Sequence, residues 1–339
     1  VHASFGQWII FILPLVVVAG FVVMALIDRR RLGDQAPIGF FARNGWPVGL
    51  FLVGAVGIWA IFMIVLPLLS MIDLSFRPKL PPLQWGGPKD YYTLENYHYF
   101  LFGSNTSSAN WNITHLKAFG LTIWVSIVIT ILDFVICYPL AYYMAQVAKP
   151  ARLRLVLLLL IAPYWVNEIL RAFAFRLLFA EQGVINDMLI SIGVISSPVD
   201  FIAGDVALYA GLSYAYLLMM MFALYNAIES LDRNLVEAAR DLGAPWWHIH
   251  AFIVLPHAKP GIASGATLVF MLTAGALAAP LVLGGPRSLW FTPIVYDRFF
   301  QAFNWQQGAA YALILLVACV IFVLGVLKLF RLRLGEIAR

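Results

Sequence analysis

An all-α protein that crosses a membrane several times is the fold class this sequence predicts, and three observations carry the prediction. The 339 residues are 62% hydrophobic and 12% charged, where a soluble domain is roughly half apolar and about a quarter charged. The apolar residues gather in runs around 8–27, 48–72, 118–146, 154–179, 205–229, 260–283 and 308–330. Each matches the roughly 20 helical residues that cross a hydrocarbon core about 30 Å thick. The basic residues stand in short clusters between the runs, so the formal net charge of +5 points to membrane orientation and not to a nucleic-acid face.

Seven helices follow from those runs. The first, Trp8 to Ile27, has no Lys or Arg ahead of it and is followed by Arg29-Arg30-Arg31. A signal peptide has the reverse order, so this run reads as a retained helix with its N-terminus outside. The third and fourth runs contain Pro139 and Pro163, each able to kink or interrupt a helix. Arg29–Arg31 with Arg43, Lys149 with Arg152 and Arg154, Arg233 with Arg240 and Lys259, and Lys328 with Arg331, Arg333 and Arg339 all fall on one side. By the positive-inside rule that side, and the C-terminus with it, is cytoplasmic and the N-terminus periplasmic. The opposite loops, Phe76–His115, Glu181–Gly204 and Gly284–Gln307, are lighter in basic charge. Of these, Phe76–His115 opens with turn residues from Pro78 to Pro88 and continues with an aromatic stretch, Tyr97 to Phe102, suited to the headgroup level. Cys137 and Cys319 lie inside apolar runs, so no disulfide framework is indicated.

The segment from about 231 to 257 is the least membrane-like ordered stretch. Asp232 or Asn234 can cap a helix, Gly243 can end it, Pro245 can open a second short helix and Pro256 can close that one. Glu237, Ala238 and Ala239, then Gly243 after three residues, then Ile253, Leu255 and Pro256 after nine more, resemble the pattern of ABC-importer permeases. Pro163 to Asn167, Arg171, Gly183 to Asn186 and Leu231 to Ala244 are similar to the spermidine/putrescine permeases of that family, and the resemblance extends over about residues 48–330.

The resemblance implies a type I ABC importer transmembrane domain at 46–339, with a six-helix core, and an additional helix with its linker at 1–45. It implies that Glu237, Ala238, Ala239, Asp241 and Gly243 belong to a coupling helix docked on an ATP-binding subunit. It also implies a polyamine substrate, a dimer of ATP-binding subunits, a second permease chain and a periplasmic binding protein, all at the bacterial inner membrane. ATP and Mg would then sit on the partner ATPase. No Gly-x-x-x-x-Gly-Lys-Ser/Thr occurs here, so this chain is not expected to hydrolyse ATP, and no cofactor or metal is expected in it.

Charges inside apolar runs are costly and usually face the protein interior or a water-filled cavity. Thr122, Ser126, Thr130, Asp133 and Cys137 recur at helical spacing, and Tyr164, Glu168, Arg171 and Phe175 form a second stripe. A polyamine needs carboxylates and aromatic faces, which Asp133, Glu168, Tyr164 and Trp165 supply, so these four are the substrate-pathway candidates. Two plainer readings stand beside that one. Glu168 and Arg171 can neutralise each other, and Asp133 can bond a neighbouring helix as packing glue. Met219–Met221 read as packing or lipid-facing residues, and His248 and His250 as surface residues of the docking segment. A secondary transporter is the rival class, but paired inverted repeats are not found.

Overall fold

The computed structural model describes residues 46–81, 84–104, 110–285 and 288–332. The expected helix at 8–27, the cluster Arg29–Arg31 with Arg43, the N-terminal orientation, and Arg333 and Arg339 lie outside the described residues. Among the described residues every regular element is helical. In order these are α1 Trp46–Ala60, α2 Leu66–Ser75, α3 Glu95–Phe102, α4 Ile113–Tyr142, α5 Pro150–Ile161, α6 Glu168–Leu178, α7 Val184–Ser191 and α8 Val206–Glu229. There follow α9 Arg233–Asp241, α10 Trp246–Ile249, α11 Leu255–His257, α12 Lys259–Ala274, α13 Ala278–Leu283, α14 Phe291–Phe300 and α15 Trp305–Phe330. Among the described residues four stretches are long and apolar enough to cross a membrane: Val53–Ser75, Ile113–Val147, Val206–Glu229 and Trp305–Phe330.

Two expected spans are broken, and proline explains both. The run at 154–179 is a pair of helices, Pro150–Trp165 and Glu168–Leu178, bent by 95°. Pro163 has no N–H to return to the preceding turn, the chain tightens through Ala162–Trp165, and Asn167 restarts it by accepting the Ile169 N–H at 2.9 Å. The run at 260–283 stops at Ala274 and resumes at Ala278. Pro280 has no N–H for the Ala276 carbonyl four residues back, and the Thr292 hydroxyl donates to that carbonyl instead. Pro139, by contrast, stays inside α4, which ends three residues later in a widened turn over Tyr143–Val147. At the Pro280 break the missing donor is thus replaced by a side chain, as a spanning segment requires.

The chain packs as two compact units. Of the described residues, one takes in those from Trp46 to Asn110 with Arg298–Leu313, the other Trp111–Asp297 with those from Ile314 to Leu332. In the first, Arg77 holds Asp73 and Asp90 at 2.7 Å each, and Tyr92 donates to Asp73 at 2.9 Å. Burial works against the charged form of Asp90, but the Gly86 N–H and the Arg77 guanidinium hold its carboxyl below the usual carboxylate range. Asn96 donates to the carbonyls of Ser75 and Arg77, at 2.9 and 2.8 Å, tying α3 to the end of α2. The aromatic stretch from Tyr97 therefore forms a packed helix, with Phe100 buried edge-on against Tyr311.

In the second unit α4, α8 and α12 form the core. Small residues set the spacing between α8 and α12: a Cβ on Gly265 would stand 2.8 Å from Met220 Sδ, and one on Gly261 would collide with Ala223 and Ala227. This is the close approach that small residues permit between spanning helices. Met220 and Met221 are fully buried there, whereas Met219 is partly exposed. The expected polar stripe of α4 is real and faces inward, with Thr122, Ser126, Thr130, Asp133 and Cys137 all buried. The three hydroxyls donate back to the carbonyls of Ala118, Thr122 and Ser126, and Thr122 also accepts the Phe291 N–H at 2.9 Å from the start of α14.

Candidate functional site

Two places in the second unit gather the candidate residues. The first is the segment from Leu231 to His257. Its helix α9 starts where Asp232 accepts the Asn234 N–H at 3.0 Å, the capping bond that a short helix needs most. It ends in a two-bond reversal: Gly243 N–H donates to Arg240 at 2.9 Å and Ala244 N–H to Ala239 at 3.0 Å. That pair is the Schellman arrangement, and it places Gly243 at φ +77°, a backbone region that side-chain-bearing residues enter at a cost. Pro245 then opens α10, as the sequence suggests. Pro256 does not close the second helix. A widened turn over His250–Val254 carries the chain into α11, which runs to His257, because the longer hydrogen-bond reach of that turn accommodates a residue with no N–H.

The segment is fastened to the end of α4. Gln146 donates to the carbonyls of Ile228 and Leu231, at 2.9 and 3.2 Å, and Arg233 donates to Ala145 at 3.1 Å. His250 Nδ1 lies 2.7 Å from the Tyr138 hydroxyl, with the Tyr142 ring edge-on at 4.4 Å. His250 is thus a half-buried joint and not the surface residue expected, while His248 is exposed. Burial, with Arg240 nearby, holds the His250 imidazole below its usual pKa. Sequence reasoning missed Tyr138, Tyr142 and Gln146. Their signal was present: the three stand four apart, continuing down α4 a stripe of polar atoms at helical spacing.

The outer face of the segment is open. Glu237, Ala238, Asp241 and Gly243 are exposed and Ala239 is half-buried. Around them stand exposed Leu235, Leu242, Trp246, Trp247 and Phe252, with Leu242 88% accessible. Val236 and Ile249 point the other way and are buried. A short, doubly capped helix with one face anchored and an apolar rim on the other suits docking against a second protein.

The second place lies along α8 between Ser213 and Leu218. Asp133, fully buried, accepts the Ser213 hydroxyl with one oxygen, while its other oxygen has no hydrogen-bond partner. Cys137 donates to the Leu217 carbonyl at 3.4 Å. The Tyr164 hydroxyl donates to the Tyr214 carbonyl at 2.5 Å and accepts the Leu218 N–H at 3.2 Å, engaging the two groups that bound one turn of α8. Arg171 stacks over Tyr164 at 4.7 Å and Tyr214 at 6.0 Å, and its buried Nε and Nη1 have no acceptor. Glu168 accepts the Tyr216 O–H at 3.3 Å. Among the described residues Glu168 and Arg171 do not pair with each other, so the neutralising contact considered above is absent.

Of the four pathway candidates, Glu168 lines an open groove of about 560 Å³ between α6, α8 and the α12–α13 break. Asp133 and Tyr164 are bonded to α8 outside that lining, and Trp165 is 87% exposed. The structure therefore brings Asp133, Tyr164 and Glu168 to successive positions of one helix, and of these Glu168 is the one in the lining of that groove.

With this geometry in place, the comparisons with known proteins are informative. Residues 137–330 match the family described as "Binding-protein-dependent transport system inner membrane component". The spermidine/putrescine transport system permease protein PotB of Haemophilus influenzae is 32% identical over 267 residues, covering 78% of this chain and 88% of that protein. The protein of the same name from Escherichia coli strain K12 is 29% identical over 259 residues, covering 76% and 89%. Among solved structures, a chain of a bacterial alginate ABC transporter, crystallised with an alginate pentasaccharide-bound periplasmic protein, superposes with a TM-score of 0.66 at 18% identity. That match covers 86% of this chain and 96% of the other.

Proposed function

The chain belongs to the binding-protein-dependent transport system inner membrane component family, the permeases of ABC importers, and on that premise we propose that it forms a translocation path for polyamines. It is a multi-pass inner-membrane protein and a transport component. In the proposed assembly the Leu231–His257 segment faces the cytoplasm and docks on a separate ATP-binding subunit, which holds the ATP and Mg. Glu237, Ala238, Ala239, Asp241 and Gly243 present its contact surface. A second permease chain and a periplasmic binding protein complete the machine.

One observation carries the reading: the exposed ridge of the segment is rigidly capped and bonded to the end of α4, the helix whose inner face bears Asp133. Force applied at Glu237 thereby reaches a spanning helix without passing through a soft joint. Closure of two ATP-binding subunits would shift such a bundle between inward-open and outward-open forms, each ligand biasing the equilibrium by its differential affinity for the two. In this reading Glu168 faces the path, Asp133 and Tyr164 hold α8 in register behind it, and Trp165 is an exposed contact. A cationic cargo suits a groove in which Glu168 is the charged lining group among the described residues.

The test is uptake of labelled spermidine by proteoliposomes holding the assembled transporter. Uptake is expected to require ATP, the ATP-binding subunit and the binding protein together. Uptake driven by an ion gradient without the ATP-binding subunit would replace this reading with a secondary transporter.

A further inference from the structure

Resting on the permease reading, we infer that the groove beside Glu168 is a binding subsite for an alkylammonium group, formed jointly by that carboxylate and by the carbonyl end of helix α12. The groove is walled by Glu168, Tyr216, Met271, Leu272, Gly275 and Leu281, among others. Glu168 is its only charged lining residue, and no cation among the described residues pairs with it. An uncompensated carboxylate beside apolar helices is costly to maintain, and a bound cation removes that cost.

The break in the α12–α13 run supplies the second half. The 16 residues of α12 end at Ala274, and Gly275–Ala278 turn the chain along the groove wall. The last-turn carbonyls of a helix lack partners within it and carry the negative pole of its dipole. Here the Met271 and Thr273 carbonyls take the Gly275 and Ala276 N–H groups, at 3.0 and 3.2 Å, and Ala276 takes the Thr292 hydroxyl, so the Leu272 and Ala274 carbonyls are the ones left for a ligand. Broken helices in transporters use such carbonyl ends to hold cations. A primary ammonium has three donors; Glu168 would take one as a charge-assisted bond, and helix-end carbonyls the others. Met271, Leu272 and Leu281 would cover the adjoining methylenes. The same surface disfavours a carboxylate or an acidic sugar, since both of its poles are negative.

Glu168 also opens α6, where a negative side chain favours the helix dipole. That role is independent of any ligand, so ligand dependence separates the two. The assembled transporter, without its binding protein, is placed in lipid nanodiscs and its melting temperature followed against 1,4-diaminobutane, with 1,4-butanediol as the uncharged control. The diamine is expected to raise the melting temperature and the diol to leave it unchanged. Glu168→Gln should weaken diamine binding on the order of tenfold, and Glu168→Asp should recover part of the loss. A lower melting temperature for Glu168→Gln with unchanged diamine affinity would make the residue structural and overturn the subsite. So would wild-type protein that imports diamines yet gives no diamine-dependent shift. Wild-type transporter that imports no polyamine at all would instead overturn the polyamine reading itself.

Discussion

The Leu231–His257 segment and the mid-span part of α8 are both polar islands in an apolar protein, yet they satisfy their polar groups in opposite ways. Between Leu231 and His257 the strained or exposed backbone positions are answered: Asp232 caps, Gly243 reverses, Gln146 bonds from the adjacent helix end and Arg233 reaches back to it. Between Ser213 and Leu218 the partners come from α4, the Ala162–Trp165 turn and α6, and they leave one oxygen of Asp133 and two nitrogens of Arg171 unpaired. A fully bonded element is rigid and transmits displacement. A buried network with orphan atoms has other arrangements available to it. The first suits a lever and the second suits the part that the lever moves.

The largest effect should follow from attacking the lever at its corner. Gly243→Val forces a β-branched residue into the left-handed region, where an L-residue costs roughly 1–2 kcal/mol and branching adds to it. Uptake by the reconstituted transporter is expected to fall on the order of tenfold or more, with reduced co-purification of the ATP-binding subunit. Glu237→Ala, which leaves the fold of α9 intact, should lower uptake while the subunit remains inserted. Wild-type uptake by both variants would break the assignment of this segment as the docking surface.

Next in size is a pair of stability changes whose signs should differ between the two regions. Asp232→Ala removes the cap of α9 and should destabilise by about 1 kcal/mol, seen as a lower melting temperature in nanodiscs. Arg171→Met keeps much of the side-chain volume and removes buried nitrogens that lack acceptors. Replacing such a group by an apolar one is often neutral or stabilising, by as much as about 1–4 kcal/mol where buried charges are involved, so its melting temperature should stay level or rise. A marked fall for Arg171→Met would mean that the stack on Tyr164 and Tyr214 outweighs the orphan donors, and the contrast between the regions would need revising.

The same contrast explains what was legible in the sequence. The cap at Asp232, the corner at Gly243 and the start at Pro245 are local, each decided by a residue type within a few positions of its effect. The stretch from Asp232 to Pro245 could therefore be read directly, whereas the role of Pro256, which does not close its helix, could not. The positions of six of the apolar runs were equally legible, since length and hydropathy suffice for them. Whether each run stays one helix was not, because Pro139 lies within a helix while Pro163 and Pro280 attend breaks. That outcome depends on which group replaces the missing donor, and Thr292, which serves Ala276, is sixteen residues away. The pairing of Glu168 with Tyr216 instead of Arg171 is likewise a matter of side-chain direction across helices. Periodicity places residues on a face but does not choose their partners.

The smallest effect, and the finest test of the lever, is the pH dependence of its joint at His250. The ring is half-buried against Tyr138 and Tyr142, and burial together with Arg240 favours its neutral form. When the segment is loosened the imidazole returns toward its ordinary value of about 6.5. The docked state therefore has its full advantage above that pH. It loses the advantage as pH falls from about 6.5 through the lower docked value, because the loosened state then binds the proton more readily. Amide hydrogen exchange across residues 246–257 should accordingly speed up between pH 7.5 and pH 5.5, after correction for intrinsic exchange, and uptake should decline in parallel. His250→Gln keeps a hydrogen-bonding group toward Tyr138 but cannot titrate, so its corrected exchange should be flat over the same range. An unchanged pH response in that variant would move the sensitivity elsewhere and leave the Tyr138 contact as packing alone.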